Sequence, residues 1–100
     1  MNKKIYLDTL IESHVTKKPQ TDIECIRAAI IAEYDAVNMY ERYASQCTNH
    51  IVKKVFLDIA NEEKVHIGEF EELANSLDPN FIMSKTEGKN EVHEIDDEDK

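Results

Sequence analysis

Glycine and proline are scarce in this sequence, which has only two of each in 100 residues and no tryptophan. Glycine and proline interrupt helices and form turns, so their scarcity favours long helices and leaves little for a β-sheet. No apolar run approaches the roughly 20 residues that cross a bilayer, which argues against a membrane partner. Residues 1–7 are basic and then apolar, but Asp8 and Glu12 interrupt them too early for a signal peptide. We therefore expect an all-α, cytoplasmic protein.

Positive charge is also in short supply, because 12 Lys and Arg residues stand against 21 Asp and Glu residues and the net charge is −9. Such a surface repels phosphate, so nucleic acid is not an expected partner. Acidic residues crowd the last ten positions, which is typical of a disordered tail and predicts one over residues 85–100. The only cysteines, Cys25 and Cys47, fall on one predicted helix roughly 33 Å apart. They cannot form a disulfide within one chain, which is consistent with a reducing compartment.

Two stretches of the sequence carry apolar residues at alternating spacings of three and four, which places them on one face of a helix. Seam 1 consists of Ile23, Ile26, Ile30, Glu33, Val37, Tyr40, Ala44 and Cys47. Seam 2 consists of Val52, Phe56, Ile59, Glu63, His66, Phe70, Leu73 and Leu77. Each seam predicts a helix that packs along this face.

Local signals set the boundaries of the predicted elements. Thr21 and Glu24 form a capping-box pattern that starts a first long helix over residues 22–46. Asn49-His50 marks a turn before a second helix over residues 51–76, so residues 21–77 form an antiparallel hairpin. Residues 1–20 are an arm with a short amphipathic helix over 4–15, and Asp78-Pro79 starts a short helix over 78–84. A hairpin alone leaves an apolar stripe in water, so we expect two copies to pair into a four-helix bundle.

Glu33, Glu63 and His66 are the chemically informative members of the two seams. An unpaired charge in a buried face costs on the order of several kcal/mol, so these groups need a partner, and a metal ion neutralises them best. Glu63 and His66 have the Glu-x-x-His spacing of helical di-metal sites, and an antiparallel hairpin sets Glu33 level with Glu63. A symmetric dimer doubles the set to the ligands of a carboxylate-bridged di-iron site. The alternative is a dimer core in which Glu–His pairs are satisfied by hydrogen bonds.

Three further residues are weaker candidates. Tyr40 lies one heptad after Glu33, where it either contacts a ligand carboxylate and relays an electron, or simply packs in the core. Asp35 and Glu62 form either an acidic approach for cations or a solvated face.

The segments Ala32-Glu33-Tyr34-Asp35-Ala36-Val37-Asn38-Met39-Tyr40 and Asn61-Glu62-Glu63-Lys64-Val65-His66 resemble the encapsulated ferritins. These are two-helix members of the ferritin-like superfamily that reside within encapsulin shells, and the resemblance covers residues 26–80. It implies a ferritin-like bundle in which Glu33, Glu63 and His66 bind iron across a dimer interface, with Tyr40 close to the metals. It also implies that Asp35 belongs to an outer metal-entry site, that dimers assemble into a decameric ring, and that the ring oxidises Fe(II) for storage in the shell.

These expectations combine into a hypothesis of ferroxidase chemistry, with Glu63 as the bridging ligand and Glu33 and His66 as terminal ligands. Calcium or zinc would be surrogate ions at the same ligands. The localisation implied is cytoplasmic, within an encapsulin nanocompartment. Two alternatives stay open: a rubrerythrin-like di-iron peroxide reductase, and a non-enzymatic helical dimerisation module. The residues after Glu94 carry no apolar shell-targeting peptide, so the chain is either unusual cargo or a domain of a shell fusion.

Overall fold

The computed structural model describes residues 21–99, which form three consecutive helices. They are α1 (Asp22–Gln46), α2 (His50–Leu77) and α3 (Pro79–Glu98). This arrangement confirms the predicted all-α fold class. None of these helices, within the part of the chain described, is apolar over a long enough stretch to cross a membrane. The predicted arm over residues 1–20, with its helix over 4–15, lies outside the described residues.

Each of the two long helices begins at a capping residue: Thr21, which the sequence predicts as an N-cap, and Asn49, which the sequence predicts only as part of a turn. The side chain of Thr21 accepts a hydrogen bond from the backbone N–H of Glu24 at 3.2 Å, which starts α1. The side chain of Asn49 accepts hydrogen bonds from the backbone N–H groups of Ile51 and Val52, each at 3.0 Å, which starts α2. These bonds satisfy N–H groups that have no partner within the helix. The predicted helices over 22–46 and 51–76 are therefore confirmed, with α2 extended by one residue at each end.

Helices α1 and α2 pack antiparallel through a core of four small or branched residues, Val37, Ala44, Ala60 and Ile67. Val37 and Ala44 belong to seam 1, as predicted. Ala60 and Ile67 lie beside seam 2 and not within it, so the face of α2 that meets α1 is rotated relative to the prediction. The rotation turns part of seam 2 outward: Val52, His66, Leu73 and Leu77 are exposed.

Helix α3 differs from the predicted short helix over 78–84 followed by a disordered tail, because it continues from Pro79 to Glu98. The acidic composition suggested disorder, but no proline follows Pro79 and only Gly88 weakens the helix. Lysine and glutamate are good helix formers, so local propensity carries the helix through the acidic stretch. Every residue of α3 is nevertheless exposed.

The junction between α2 and α3 is made at Asp78. Pro79 occupies the first turn of α3, where its missing N–H is not needed, as the sequence predicts. The carboxylate of Asp78 makes no capping hydrogen bond. It accepts a hydrogen bond from the guanidinium of Arg27 at 2.8 Å, and this ion pair ties the start of α3 to the first turns of α1.

Candidate metal centre

The middle of the hairpin brings the three predicted ligands together. Glu33 lies 15 residues before Thr48 and Glu63 lies 15 residues after it, so antiparallel packing sets them side by side. One ligand atom from each of Glu33, Glu63 and His66 lies within 4.8 Å of the others. The Nδ1 atom of His66 is 3.5 Å from the nearer oxygen of Glu63 and 3.8 Å from that of Glu33.

The chemistry of this cluster fits a cation. The Oε2 atom of Glu33 is buried and has no hydrogen-bond partner, and a buried acceptor left unpaired costs about 1–3 kcal/mol. Both distances to His66 exceed the roughly 3.2 Å upper end of N–H···O hydrogen bonds, so the imidazole does not satisfy it. A metal ion would. Two carboxylates and one imidazole are ligands that iron accepts readily, and the same donors also suit zinc and manganese.

The cluster is closed toward the hairpin and open on its other side. The side chains of Glu33 and Glu63 are 22% and 20% exposed, whereas that of His66 is 49% exposed. One chain supplies three ligand residues, which is half the set found in helical di-metal carboxylate sites. The open side of the cluster is the side on which the outward residues of seam 2, such as Val52 and Leu73, are exposed. Ligands from outside the chain therefore have access to the cluster.

An aromatic cluster lies between this site and the hairpin turn. The ring of Tyr40 stacks on that of Phe56, with centroids 6.1 Å apart, and Tyr43 meets the same ring edge-on at 5.7 Å. Tyr40 is one heptad from Glu33, which is about 10 Å along the helix axis. Its predicted catalytic role stays a prediction. The cluster itself was missed in the sequence, although Tyr40 and Tyr43 share a helix face and lie opposite Phe56 in an antiparallel hairpin.

Asp35 and Glu62 do not join the three ligands. Both are exposed, and neither contributes an atom to the group of residues 21–99 that could hold an ion. Their predicted part in metal binding or entry stays a prediction. Beside the site, the ammonium of Lys64 lies 3.0 Å from a carboxylate oxygen of Glu41 and links the two helices. Because both side chains are about half exposed, this pair contributes little to stability.

Comparison with known proteins shows which family the chain belongs to. The family model for rubrerythrin matches residues 24–98. The crystal structure of the encapsulated ferritin domain from Pyrococcus furiosus superposes with a TM-score of 0.73 and 44% sequence identity, covering 78% of this chain and 83% of that one. Among curated proteins, the ferritin-like–encapsulin shell fusion protein of Pyrococcus furiosus is 44% identical over an alignment of 81 residues that covers 78% of this chain. The encapsulin nanocompartment cargo protein EncB of Myxococcus xanthus is 35% identical over 57 residues, or 57% of this chain.

The two curated relatives are much longer than the part they share with this chain. The matches span 24% of the shell fusion protein and 36% of the cargo protein. The family model, by contrast, covers three quarters of this chain, and the solved domain is matched over most of its own length. The chain therefore belongs to the rubrerythrin family and is a member of the encapsulated ferritins within the ferritin-like proteins.

Proposed function

We propose that this protein is a ferroxidase, which oxidises Fe(II) to Fe(III) at a di-iron site shared between two copies of the chain. The observation that carries the proposal is the cluster of Glu33, Glu63 and His66, whose ligand atoms lie within 4.8 Å of one another while a buried oxygen of Glu33 has no hydrogen-bond partner. A non-enzymatic dimerisation module would have no use for an unsatisfied carboxylate at its core.

A second copy completes the site in this proposal. The hairpin provides one Glu from α1 and one Glu-x-x-His pair from α2, and a two-fold axis beside His66 would double these to four carboxylates and two imidazoles. The exposed apolar residues of seam 2 support such a contact. Val52, Leu73 and Leu77 are 42–53% exposed in a single chain, and pairing would remove that surface from water.

The residues of the chain have defined tasks in this reaction. Glu33 and Glu63 attract and hold Fe(II), because carboxylate oxygens bind both ferrous and ferric iron, and His66 adds a nitrogen ligand that favours the divalent state. The two ferrous ions would give up one electron each. One molecule of dioxygen would take both electrons with two protons to become hydrogen peroxide, or one molecule of hydrogen peroxide would take them to become two molecules of water. Acidic residues near the cluster, Asp35 and Glu62, would raise the local concentration of cations.

Storage of the product would fall to a partner. Both curated relatives carry encapsulin in their names, one as a shell fusion and one as cargo. The resemblance to the encapsulated ferritins implies a homodimer that assembles into a decameric ring. Such a ring would have no closed cavity for mineral, so we place it within an encapsulin nanocompartment. In that setting, the ferric product would pass into the shell.

The test is an anaerobic titration of metal-free protein with Fe(II), followed by air, with ferric absorbance and native mass recorded together. We expect saturation near one iron per chain, rapid oxidation and an even number of chains. Glu63→Ala should abolish oxidation and leave the helical content intact. The matched control is Glu69→Ala, an exposed carboxylate on the same helix, which should oxidise iron at the wild-type rate. Equal rates for both variants would contradict the proposal.

The match to the rubrerythrin model favours one other function, a di-iron peroxide reductase. The sequence has no Cys-x-x-Cys pair of the kind that holds a rubredoxin iron, so another protein would have to supply the electrons. Sustained turnover of hydrogen peroxide with a supplied reductant, faster than oxidation of Fe(II) by dioxygen, would select this function over the ferroxidase.

A further inference from the structure

A groove at the far end of the hairpin, where α3 begins, takes no part in the metal centre. Its walls are apolar side chains from all three helices, namely Ile23, Ile30 and Ile31 of α1, Ala74 of α2 and Phe81 of α3. The groove has a volume of about 520 Å³. Ile31 and Phe81 are 38% and 54% exposed, so a single chain leaves apolar surface in contact with water there.

This groove and the open side of the metal centre lie on different faces of the hairpin. In α1, Ile31 precedes Glu33 by two residues, which is about 200° around the helix. In α2, Asn75 lines the groove and follows the exposed ligand His66 by nine residues, which is about 180° around the helix. A second copy bound at the metal centre would therefore leave the groove uncovered.

The rim of the groove carries two charges without an ion-pair partner. Glu71 of α2 and Lys85 of α3 both line the groove, and neither forms an ion pair within residues 21–99. The other charged residues of the rim, Arg27 and Asp78, pair with each other at 2.8 Å. A free anion and a free cation on one rim are complementary to the same two charges presented in reverse order. A second copy related by a two-fold axis presents them in that order.

We propose that the groove is a second contact between copies of the chain, formed about a two-fold axis. Beside the groove, the first turn of α3 exposes Ile82 by 44%, and Ile82 does not line the groove of its own chain. In the contact, Ile82 of each copy enters the groove of the other copy, and Lys85 of each copy pairs with Glu71 of the other. Only the first two turns of α3 take part, and Ile95 lies about 20 Å further along the helix.

A chain with two different two-fold contacts has a defined way to assemble. The contact at the metal centre, which rests on the proposed function, joins hairpins into pairs, and the groove then joins one pair to the next. Such an assembly contains an even number of chains and closes into a ring when the rotations close. The groove contact itself needs no metal, so it can be tested without iron.

Reversal of one charge tests the contact on the full chain. Leu73→Asp places a charge in the exposed part of seam 2 and removes the contact at the metal centre, so this variant should form a metal-free dimer through the groove alone. In that background, Lys85→Glu should weaken the dimer at least about tenfold, because each ion pair becomes two like charges. The matched control Lys89→Glu makes the same change on α3 outside the groove and should leave the dissociation constant nearly unchanged. Sedimentation equilibrium measures all three.

Mixing of two variants separates a contact between copies from one within a chain. In the same Leu73→Asp background, Glu71→Lys should weaken the dimer as Lys85→Glu does. An equal mixture of these two variants should form mixed dimers of the original strength, because every pair across the contact then joins opposite charges. Native mass spectrometry with one isotope-labelled variant identifies mixed dimers. A monomeric background variant, equal effects of Lys85→Glu and Lys89→Glu, or no rescue on mixing would each overturn the proposal.

The apolar part of the contact has its own matched pair of variants. In the same background, Ile82→Asp should weaken the dimer at least about tenfold, because the inserted side chain becomes charged. Val92→Asp, at a position on α3 that is 64% exposed and outside the groove, should not. Circular dichroism checks that both variants keep their helices, and equal weakening by both would overturn the proposal. Iron separates the two proposals, because Lys85→Glu in the otherwise unsubstituted chain should keep its iron, whereas Glu63→Ala should lose iron and keep the groove contact.

Discussion

The α1–α2 hairpin and α3 are both helical, but different interactions hold them in shape. The hairpin buries Val37, Ala44, Ala60 and Ile67 between its two helices, so its stability comes from packing. Helix α3 has no buried residue and touches the hairpin only near its first turns. Its helical form rests on propensity, on Pro79 at its start and on the absence of later prolines.

This contrast explains where the chemistry is located. A packed helix pair holds side chains at fixed positions, so Glu33, Glu63 and His66 keep a cluster that one ion can reach. Helix α3 has no buried residue that would hold its side chains in place, and all of its residues are exposed. The carboxylates of α3 therefore make a poorer metal site than the two carboxylates of the hairpin cluster, Glu33 and Glu63. Four measurements test the contrast.

The largest difference in the free energy of unfolding should come from replacing one isoleucine by asparagine in the hairpin and one in α3. Ile67→Asn places an amide in the hairpin core, where Ile67 is 6% exposed, and should lower the free energy of unfolding by about 3–5 kcal/mol. Ile95→Asn, at a position that is 61% exposed, should change it by less than about 0.5 kcal/mol. Urea unfolding followed by circular dichroism measures both. A large loss from Ile95→Asn would show that α3 packs against another copy.

A somewhat smaller effect should come from Glu33 of the metal centre, one of whose carboxylate oxygens is buried. Glu33→Met keeps the length of the side chain and removes the acceptor that has no hydrogen-bond partner. The metal-free protein should become more stable by about 1–3 kcal/mol, while iron binding is lost. The control Glu72→Met changes an exposed carboxylate and should be nearly neutral. A destabilised Glu33→Met would show that the carboxylate is satisfied without a metal.

Substitution of either glycine by alanine should stabilise its own helix by about 1 kcal/mol. A Cβ atom added at Gly68 or Gly88 would meet nothing within 4 Å, so alanine should strengthen each helix by its propensity alone. Gly68→Ala should raise the global free energy of unfolding, because α2 belongs to the cooperative hairpin. Gly88→Ala should slow hydrogen exchange within α3 and leave the global value unchanged. A global gain from Gly88→Ala would mean that α3 unfolds together with the hairpin.

The smallest effect should be that of the ion pair between the two regions. The side chains of Arg27 and Asp78 are 56% and 29% exposed, so water screens much of their attraction. A double-mutant cycle with Arg27→Gln and Asp78→Asn should give a coupling free energy of about 0.2–1 kcal/mol. A coupling well above that range would mean that the pair is shielded from water in the assembled protein.

The parts of the fold that the sequence could predict depend on local chemistry. Thr21, Asn49 and Pro79 start helices through their own backbone and side-chain properties, and the structure places helix starts at all three. The ligand cluster was predictable because Glu33 and Glu63 interrupt apolar seams at equal distances from a turn. Both predictions need only the periodicity of a helix and the antiparallel course of the chain.

Two features were not predictable in this way. Helix α2 carries seam 2 and also a neighbouring row with Ala60 and Ile67, and periodicity cannot say which row meets α1. The small side chain of Ala60 allows α1 and α2 to approach each other closely. This close approach depends on both helices, so the sequence pattern of α2 alone does not predict it. The length of α3 was missed because acidic composition and helix propensity point in opposite directions over residues 85–98.

The symmetry of the ligands about the turn also constrains how the protein can change in length. Insertion of one residue in α1 after Glu33 would rotate its carboxylate by about 100° and shift it by about 1.5 Å, out of the cluster. Extra residues within the turn at 47–49 would leave both helices in register. Between Glu33 and Glu63, insertions and deletions should therefore survive inside the turn, or within the helices only as matched heptads, which nearly restore the helical face.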